Sequence, residues 1–196
     1  MTFTPSKQAT SGWHAAVDDF DERVDGWFDH LRGDPFADRV FYTASAVGDF
    51  GLIWVILAVL RGLRGRPNDE RAAVRAIVAT GMESVLVNAG IKSLFQRRRP
   101  VPPMEHPLPF RHPVTSSFPS GHATAAFCGA TLLADGDRLA PVYYALAVVV
   151  AASRVHVRIH HPSDVLGGAV IGLALGRIGR ALSPLPDPPV KGIRSR

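Results

Sequence analysis

The sequence predicts an all-α protein, a polytopic membrane bundle of about five transmembrane helices preceded by an N-terminal amphipathic helix. Three observations support this fold class. Apolar segments of 15 to 24 residues recur along the chain, 46% of the residues are hydrophobic, and apolar and polar residues nowhere alternate as they do in a β-strand. Because the last three apolar segments are short for a full crossing, a soluble helical bundle is the alternative.

The first predicted helix covers residues 12–32. Apolar side chains recur there every three or four positions, and acidic side chains fill the other face. Gly33 and Pro35 end the helix. We interpret this segment either as a helix in the membrane interface, anchored by Trp13 and Trp27, or as a helix packed on the domain or in a dimer contact of a homo-oligomer.

Five apolar helices are predicted after it, over residues 41–60, 72–95, 120–134, 141–155 and 163–180. The first would be about 30 Å long, which is the thickness of a bilayer core. Its only charged residue is Asp49, and the second helix carries Glu83. Both carboxylates are expected to face the bundle interior, because a charge is costly in hydrocarbon. The glycine-rich fifth helix is expected to pack closely on a neighbour.

The chain is expected to form one domain, with an amphipathic segment at 1–39, a membrane core at 40–182 and a disordered basic tail at 183–196. The net charge of +5 is compatible with an anionic membrane surface, an anionic substrate or nucleic acid. Nucleic acid is not expected as a partner, because the basic residues lie at the edges of apolar runs and match no nucleic-acid-binding module. Cys128 is the single cysteine, so the chain forms no intramolecular disulfide.

Three short blocks carry the residues that suggest chemistry. In order, they are Lys92 with Arg99-Pro100, the run Pro119-Ser120-Gly121-His122, and Ser153-Arg154 followed by His160 and Asp164. The first and third blocks lie where the second and fourth apolar helices end, and the second block opens the third helix. In an up-and-down bundle these helix ends share one face, so blocks spread over about seventy residues converge on one site.

Each block alone has an ordinary structural explanation. Cations often flank an apolar helix, Ser120 can cap a helix, and His160 and Asp164 can form a structural hydrogen bond at their i, i+4 spacing. Together the blocks fit phosphoryl transfer. Cations and the amides of a helix start hold an anion, while a carboxylate holds an imidazole in one tautomer so that its other nitrogen is nucleophilic.

With these residues the chain resembles the type 2 phosphatidic acid phosphatase family, which includes bacterial acid phosphatases and vanadium haloperoxidases. The family pattern K-x6-RP, PSGH and SR-x5-H-x3-D is met in full and in order, between about Lys92 and Gly176. Some relatives have a further membrane helix before the first motif, where this chain has only the amphipathic segment. The resemblance implies a membrane-bound phosphatase that uses no metal and no other cofactor.

The resemblance also implies a role for each matching residue. His160 would attack phosphorus and form a phosphohistidine, Asp164 would orient His160 and stabilise its charge, and His122 would protonate the leaving alkoxide. The phosphoryl oxygens would be held by Lys92, Arg99, Arg154, Ser120 and Gly121.

Further positive charge surrounds these blocks, at Arg97, Arg98, Arg111, His112, His156, Arg158 and His161. One interpretation is a binding site for a second phosphate or a diphosphate. The preferred interpretation is contact with lipid headgroups, or a surface whose charge is balanced by counterions.

The predicted function is a membrane lipid phosphatase whose partners are a lipid phosphate substrate and the surrounding lipids. A polyprenyl-linked phosphate is favoured by family analogy, and a phosphatidate is the alternative substrate. A haloperoxidase-like enzyme and a non-catalytic anion carrier are the competing functions. An oriented imidazole argues against the carrier, since anion binding needs cations and no nucleophile.

The distribution of arginines predicts the orientation in the cell membrane. Arginines crowd residues 61–75, after the first apolar helix, and basic residues also follow the fifth. The segment before the first helix is net acidic. The positive-inside rule then places both basic segments in the cytoplasm and the three blocks on the extracytoplasmic face.

Overall fold

The computed structural model describes residues 12–100 and 115–186, apart from the side chain of Phe50, and these residues form helices and turns without strands. The helices are α1 (Gly12–Asp29), α2 (Pro35–Val47), α3 (Leu52–Gly62), α4 (Pro67–Val85), α5 (Gly121–Leu133), α6 (Ala140–His156) and α7 (Pro162–Leu182). The predicted all-α class is confirmed. Residues 101–114 and the end of the predicted tail, from 187, lie outside the described residues.

Helix α5 is the centre of the bundle and packs against α3, α4, α6 and α7. Its contact with α7 depends on glycines spaced four residues apart. A Cβ atom at Gly168 would lie 2.5 Å from the carbonyl oxygen of Ser120, and one at Gly172 would lie 2.3 Å from that of Thr124. The close packing predicted for the fifth apolar helix is therefore observed, and it fixes the start of α7 against the start of α5.

The single helix predicted over residues 41–60 is wrong. Helix α2 ends at Val47, a 3₁₀ turn covers Asp49–Gly51, and α3 leaves at an angle of 75° to α2. Two glycines explain the break. Gly51 adopts φ +67°, a left-handed conformation that favours glycine, and Gly48 packs so closely that an added Cβ would lie 2.9 Å from Val150 Cγ1. Apolar composition predicted a helix long enough to cross a membrane but did not reveal the bend.

The second predicted apolar helix starts earlier than expected, at Pro67, and its last turns are irregular. A π-helical turn covers Leu86–Gly90, and a 3₁₀ turn covers Ile91–Leu94. These two turns, residues 86–94, are called the α4 extension. By length and composition, Pro67–Leu94 and α7 are each able to cross a membrane, and the bent pair of α2 and α3 would be a third crossing. Helix α6 is apolar but shorter, at 17 residues.

The bundle has two chemically different ends. At one end, buried Arg61 donates a 2.7 Å hydrogen bond to the carbonyl oxygen of Leu133 and pairs with Asp69 at 3.0 Å. Arg75 pairs with Asp135 at 2.8 Å beside it. The opposite end gathers the end of the α4 extension, the starts of α5 and α7 and the end of α6. All three blocks therefore meet there, as the up-and-down arrangement predicted.

Helix α1 exists as predicted, although it ends at Asp29, and it packs against α6 and α7. Its Phe28 is buried in a cluster with Val155 and Val165. Trp13 and Trp27 lie outside this contact and are 74% and 62% exposed. Packing on the domain is therefore observed, and anchoring in the membrane interface by the exposed Trp13 and Trp27 stays a prediction.

Candidate active site

The blocks surround a cavity of about 280 Å³ at this end of the bundle. Six of the eight predicted site residues line it, namely Lys92, Arg99, Gly121, His122, Arg154 and His160. The other two, Ser120 and Asp164, are completely buried behind its wall. The predicted site residues therefore form one group, with a layer that lines the cavity and a layer that supports it.

His160 lies in the turn between α6 and α7 and is 3% exposed. Its Nε2 is 3.2 Å from Arg99 Nη1. Because arginine only donates, this contact requires a lone pair on Nε2 and places the ring proton on Nδ1. Nδ1 faces Asp164, with 3.7 Å to Oδ2. Burial lowers the pKa of His160 to about 3, although Asp164 opposes that shift, so the imidazole is neutral at physiological pH.

Asp164 accepts three hydrogen bonds, and none of the three donors is among the predicted site residues. Ser117 Oγ donates to its Oδ2 at 2.5 Å, Arg97 Nη1 donates to its Oδ1 at 2.7 Å, and the His161 amide donates at 2.9 Å. Ser117 Oγ is also 3.5 Å from His160 Nδ1. Several donors thus hold the carboxylate that supports the imidazole.

Arg97 had one sequence signal that would have identified it. The signal is Pro100, because the residue before a proline favours extended backbone, and residues two apart on extended backbone share a side. The structure is extended at Phe95, four residues before Arg99. Arg97 and Arg99 accordingly both reach the His160 and Asp164 layer, while Arg98 between them is exposed. Ser117 carried no comparable signal.

The three predicted phosphate-binding cations come from different elements. Lys92 is buried at the end of the α4 extension, and Arg154 is buried at the end of α6, where it donates to the hydroxyl and carbonyl oxygens of Ser45 on α2. Arg99 is fixed by the carbonyl oxygens of Ile159, at 2.7 Å, and Ser116, at 3.2 Å. Three cations facing one cavity favour an anionic ligand.

The start of α5 forms the fourth side of the cavity. Ser120 Oγ caps the helix by accepting from the Ala123 amide at 3.4 Å, and the Ser120 amide donates to the Asp164 carbonyl oxygen at 3.0 Å. Gly121 lies beside Lys92, since a Cβ there would be in van der Waals contact with Lys92 Nζ, at 3.4 Å. Ser120 therefore anchors the helix start, and Gly121 and His122, the first two residues of α5, line the cavity. The unpaired amides at the start of a helix favour an anion.

His122 has a carboxylate partner. Its Nε2 donates to Asp49 Oδ1 at 2.9 Å, across the break between α2 and α3. Asp49 lines the cavity, as does Glu83, which is 3% exposed and whose Oε2 has no hydrogen-bond partner among the described residues. Both carboxylates thus face the bundle interior, as the sequence predicted.

Three of the five additional basic residues that the structure describes have a carboxylate partner. Arg97 pairs with Asp21 and Asp164, Arg158 pairs with Asp29, and buried His156 lies 2.8 Å from Asp38. These contacts favour the counterion-balanced surface over a second phosphate site. Arg111 and His112 lie outside the described residues. In the part of the chain that is described, no three His, Cys, Asp or Glu side chains group as metal ligands.

Comparisons with known proteins show which family and fold the chain shares. Residues 72–184 match the PAP2 superfamily, a range that contains all three blocks. The chain is 35% identical to decaprenylphosphoryl-5-phosphoribose phosphatase of Mycobacterium tuberculosis over 69% of its own length and 76% of the relative. It is 27% identical to an undecaprenyl-diphosphatase of Bacillus subtilis over 76% and 77%. The structure superposes on a transmembrane PAP2-type phosphatidylglycerolphosphate phosphatase from Bacillus subtilis with a TM-score of 0.66, at 24% identity, over 85% and 86% of the two chains.

Proposed function

The chain belongs to the PAP2 superfamily and is a membrane lipid phosphatase, and we propose that it removes phosphate from a polyprenyl-linked lipid through a phosphohistidine formed at His160. One observation carries the proposal. His160 is buried and neutral, its Nε2 lone pair faces the cation-lined cavity, and its Nδ1 faces Asp164. Anion binding alone needs no such imidazole.

In the first half of the proposed reaction, Nε2 of His160 forms a bond to phosphorus as the bond to the leaving alkoxide breaks. The phosphoryl oxygens take the place of Nε2 as the acceptors of Arg99, with Lys92 and Arg154 as the other cationic donors. Positive charge developing on the imidazole is stabilised by Asp164 through Nδ1. His122 gives its proton to the leaving oxygen.

In the second half, water attacks the phosphohistidine. His122, now neutral, accepts the proton from that water, and the nitrogen–phosphorus bond breaks to release inorganic phosphate. Asp49, 2.9 Å from His122, would stabilise the imidazolium form that the first step requires. His160 is thus the nucleophile, and His122 is the general acid and base.

The substrate is proposed to carry its phosphate on a polar group linked to a polyprenyl chain. Polar side chains on one face of the α4 segment line the cavity opposite α5, and two of them, Thr80 and Glu83, are buried with an oxygen that lacks a partner among the described residues. Hydroxyl groups of a sugar would satisfy these oxygens. The relative from Mycobacterium tuberculosis, by its name, acts on a phosphorylated sugar attached to a decaprenyl phosphate.

Two measurements test the proposed function. Purified protein in detergent with EDTA should release phosphate from decaprenylphosphoryl-5-phosphoribose faster than from undecaprenyl diphosphate or phosphatidate. Acid-quenched protein should contain phosphohistidine, and a His160→Asn variant should contain none and lose turnover by a factor of 10³ or more, on the order expected for a covalent nucleophile. Normal turnover by that variant would overturn the mechanism, and preference for a soluble sugar phosphate would overturn the substrate.

The site is proposed to face the extracytoplasmic side of the cell membrane. The positive-inside count supports this through Arg64, Arg66 and Arg71, which follow α3 at the opposite end of the bundle from the cavity. Arg61 and Arg75 contribute less to the count, because both are buried in ion pairs. A reporter that is active only in the cytoplasm should give signal when fused after Arg196 and none when inserted within residues 101–112, and the reverse pattern would contradict the orientation.

A further inference from the structure

Helix α1 lies outside the residues that match the superfamily, yet one of its side chains reaches the active-site layer. Asp21 is 5% exposed, whereas its acidic neighbours Asp18, Asp19 and Glu22 are exposed. Burial of a carboxylate is costly unless donors compensate it. Asp21 is therefore expected to have hydrogen-bond donors that compensate its burial, unlike the exposed acids around it.

The partners of Asp21 are Arg97 and Ser163. Arg97 Nη2 donates to Asp21 Oδ2 at 2.6 Å, and the Ser163 amide donates to Asp21 Oδ1 at 2.7 Å. The Ser163 hydroxyl accepts from Arg97 Nη1 at 2.7 Å and donates to Asp21 Oδ2 at 2.7 Å. Asp21 thus holds both the guanidinium of Arg97 and the first turn of α7.

The same guanidinium leads to the predicted nucleophile. Arg97 Nη1 donates to Asp164 Oδ1 at 2.7 Å, and the other carboxylate oxygen of Asp164 faces His160 Nδ1. Arg97 is therefore shared between two carboxylates, one from α1 and one from α7. From this chain of contacts we propose that Asp21 is a positioning residue, which acts on His160 through Arg97 and Asp164. The inference rests on the proposed role of His160 as nucleophile.

The physical effect of Asp21 follows from charge and orientation. Asp21, Asp164 and Arg97 together carry one net negative charge, which favours the imidazolium formed as His160 attacks. Without the charge of Asp21, Arg97 is neutralised by Asp164 alone, and the carboxylate supports the imidazolium less. The cations of the cavity do not contact Asp21, so substrate binding should change little.

The test compares Asp21→Asn with Asp18→Asn, which removes an exposed acid three residues away on the same helix. Single-turnover mixing with a lipid phosphate, followed by acid quench, measures the rate of phosphohistidine formation. We expect Asp21→Asn to slow that step and kcat by about tenfold to a hundredfold, with KM and vanadate affinity within about twofold, on the scale of one charge-assisted hydrogen bond. Asp18→Asn should match the wild type.

A double variant distinguishes positioning from a general loss of stability. If Asp21 acts through Arg97, the variant Asp21→Asn/Arg97→Gln should be no slower than Arg97→Gln alone, whereas independent effects would multiply. Multiplying effects, or an Asp21→Asn variant that forms phosphohistidine at the wild-type rate, would overturn the inference. If Asp21→Asn does not fold, Ser163→Ala removes the hydroxyl between Asp21 and Arg97, and it should slow the same step with unchanged KM; an unchanged rate would again overturn the inference.

Failure of the proposed function has a different signature. If the wild-type protein forms no phosphohistidine, or if His160→Asn turns over normally, the mechanism itself fails. If the wild-type protein forms the intermediate and Asp21→Asn does so equally fast, only the role of Asp21 fails.

Discussion

Asp49 accepts a 2.9 Å hydrogen bond from His122 Nε2, although 73 residues separate the two in the chain. The contact exists because the chain breaks at Asp49–Gly51, which turns the carboxylate toward the start of α5. Burial and the nearby Arg154 lower the pKa of His122 to about 4, and the contact with Asp49 opposes this shift, so Asp49 favours the protonated form that a general acid needs.

If His122 is the general acid, the loss of turnover in a His122 variant should depend on the leaving group of the substrate. His122→Ala should reduce turnover of an alkyl lipid phosphate by about 10² to 10⁴, and should affect an aryl phosphate much less, because an aryl oxygen leaves without a proton. Asp49→Asn should act in the same direction with a smaller loss. The ratio of kcat values on the two substrates is the measurement, and equal losses on both would contradict the assignment of His122 as acid.

The contacts of Arg99 predict that catalysis depends on the shape of its guanidinium group as well as on its charge. It is fixed by the carbonyl oxygens of Ile159 and Ser116 and donates toward His160 Nε2. Arg99→Lys keeps the charge but loses this geometry, so kcat should fall by about 10² or more and vanadate should inhibit more weakly. Arg98→Lys, at an exposed neighbouring position, is the matched control and should behave as the wild type.

The burial of His160 predicts how stability depends on pH. Its pKa is about 3 in the folded protein, whereas an unfolded imidazole titrates near pH 6.5. Between these values the unfolded state binds the extra proton, so the free energy of unfolding contributed by this residue falls as the pH is lowered from about 6.5 toward 3.

Thermal unfolding in detergent between pH 7.5 and 4.5 measures this effect. His160→Asn should reduce the slope of stability against pH by up to one proton, about 1.4 kcal/mol per pH unit. His30→Asn replaces an exposed histidine and should leave the slope nearly unchanged. An unchanged slope in the His160 variant would show that its imidazole is not held neutral.

The contact between α5 and α7 predicts a strong effect of one methyl group. A Cβ at Gly172 would lie 2.3 Å from the carbonyl oxygen of Thr124, so Gly172→Ala should push the helices apart and destabilise the protein by about 1 to 3 kcal/mol. Gly26→Ala in α1 meets no atom within 4 Å and should be neutral or slightly stabilising. The melting temperatures of the two variants in detergent are the measurement. Equal values would contradict the tight packing of α5 against α7.

Sequence patterns alone predicted the class of the fold and six of the residues that line the cavity. Helical periodicity and apolar length are local properties, so they identified α1 and the apolar segments. The spacing of the three blocks also placed His160, Lys92 and Arg154 at helix ends that had to meet in an up-and-down bundle. The glycine content of α7 indicated close packing before its partner helix was known.

The contacts that support the site could not be predicted from the sequence. The break before α3, the Asp49 contact with His122 and the pairing of Arg97 with both Asp21 and Asp164 join segments that are distant in the chain. Such pairings depend on which helix faces approach each other, and local periodicity carries no information about that choice. A buried Asp21 and an exposed Asp18 are alike in the sequence, and they become different only when α1 packs against α7.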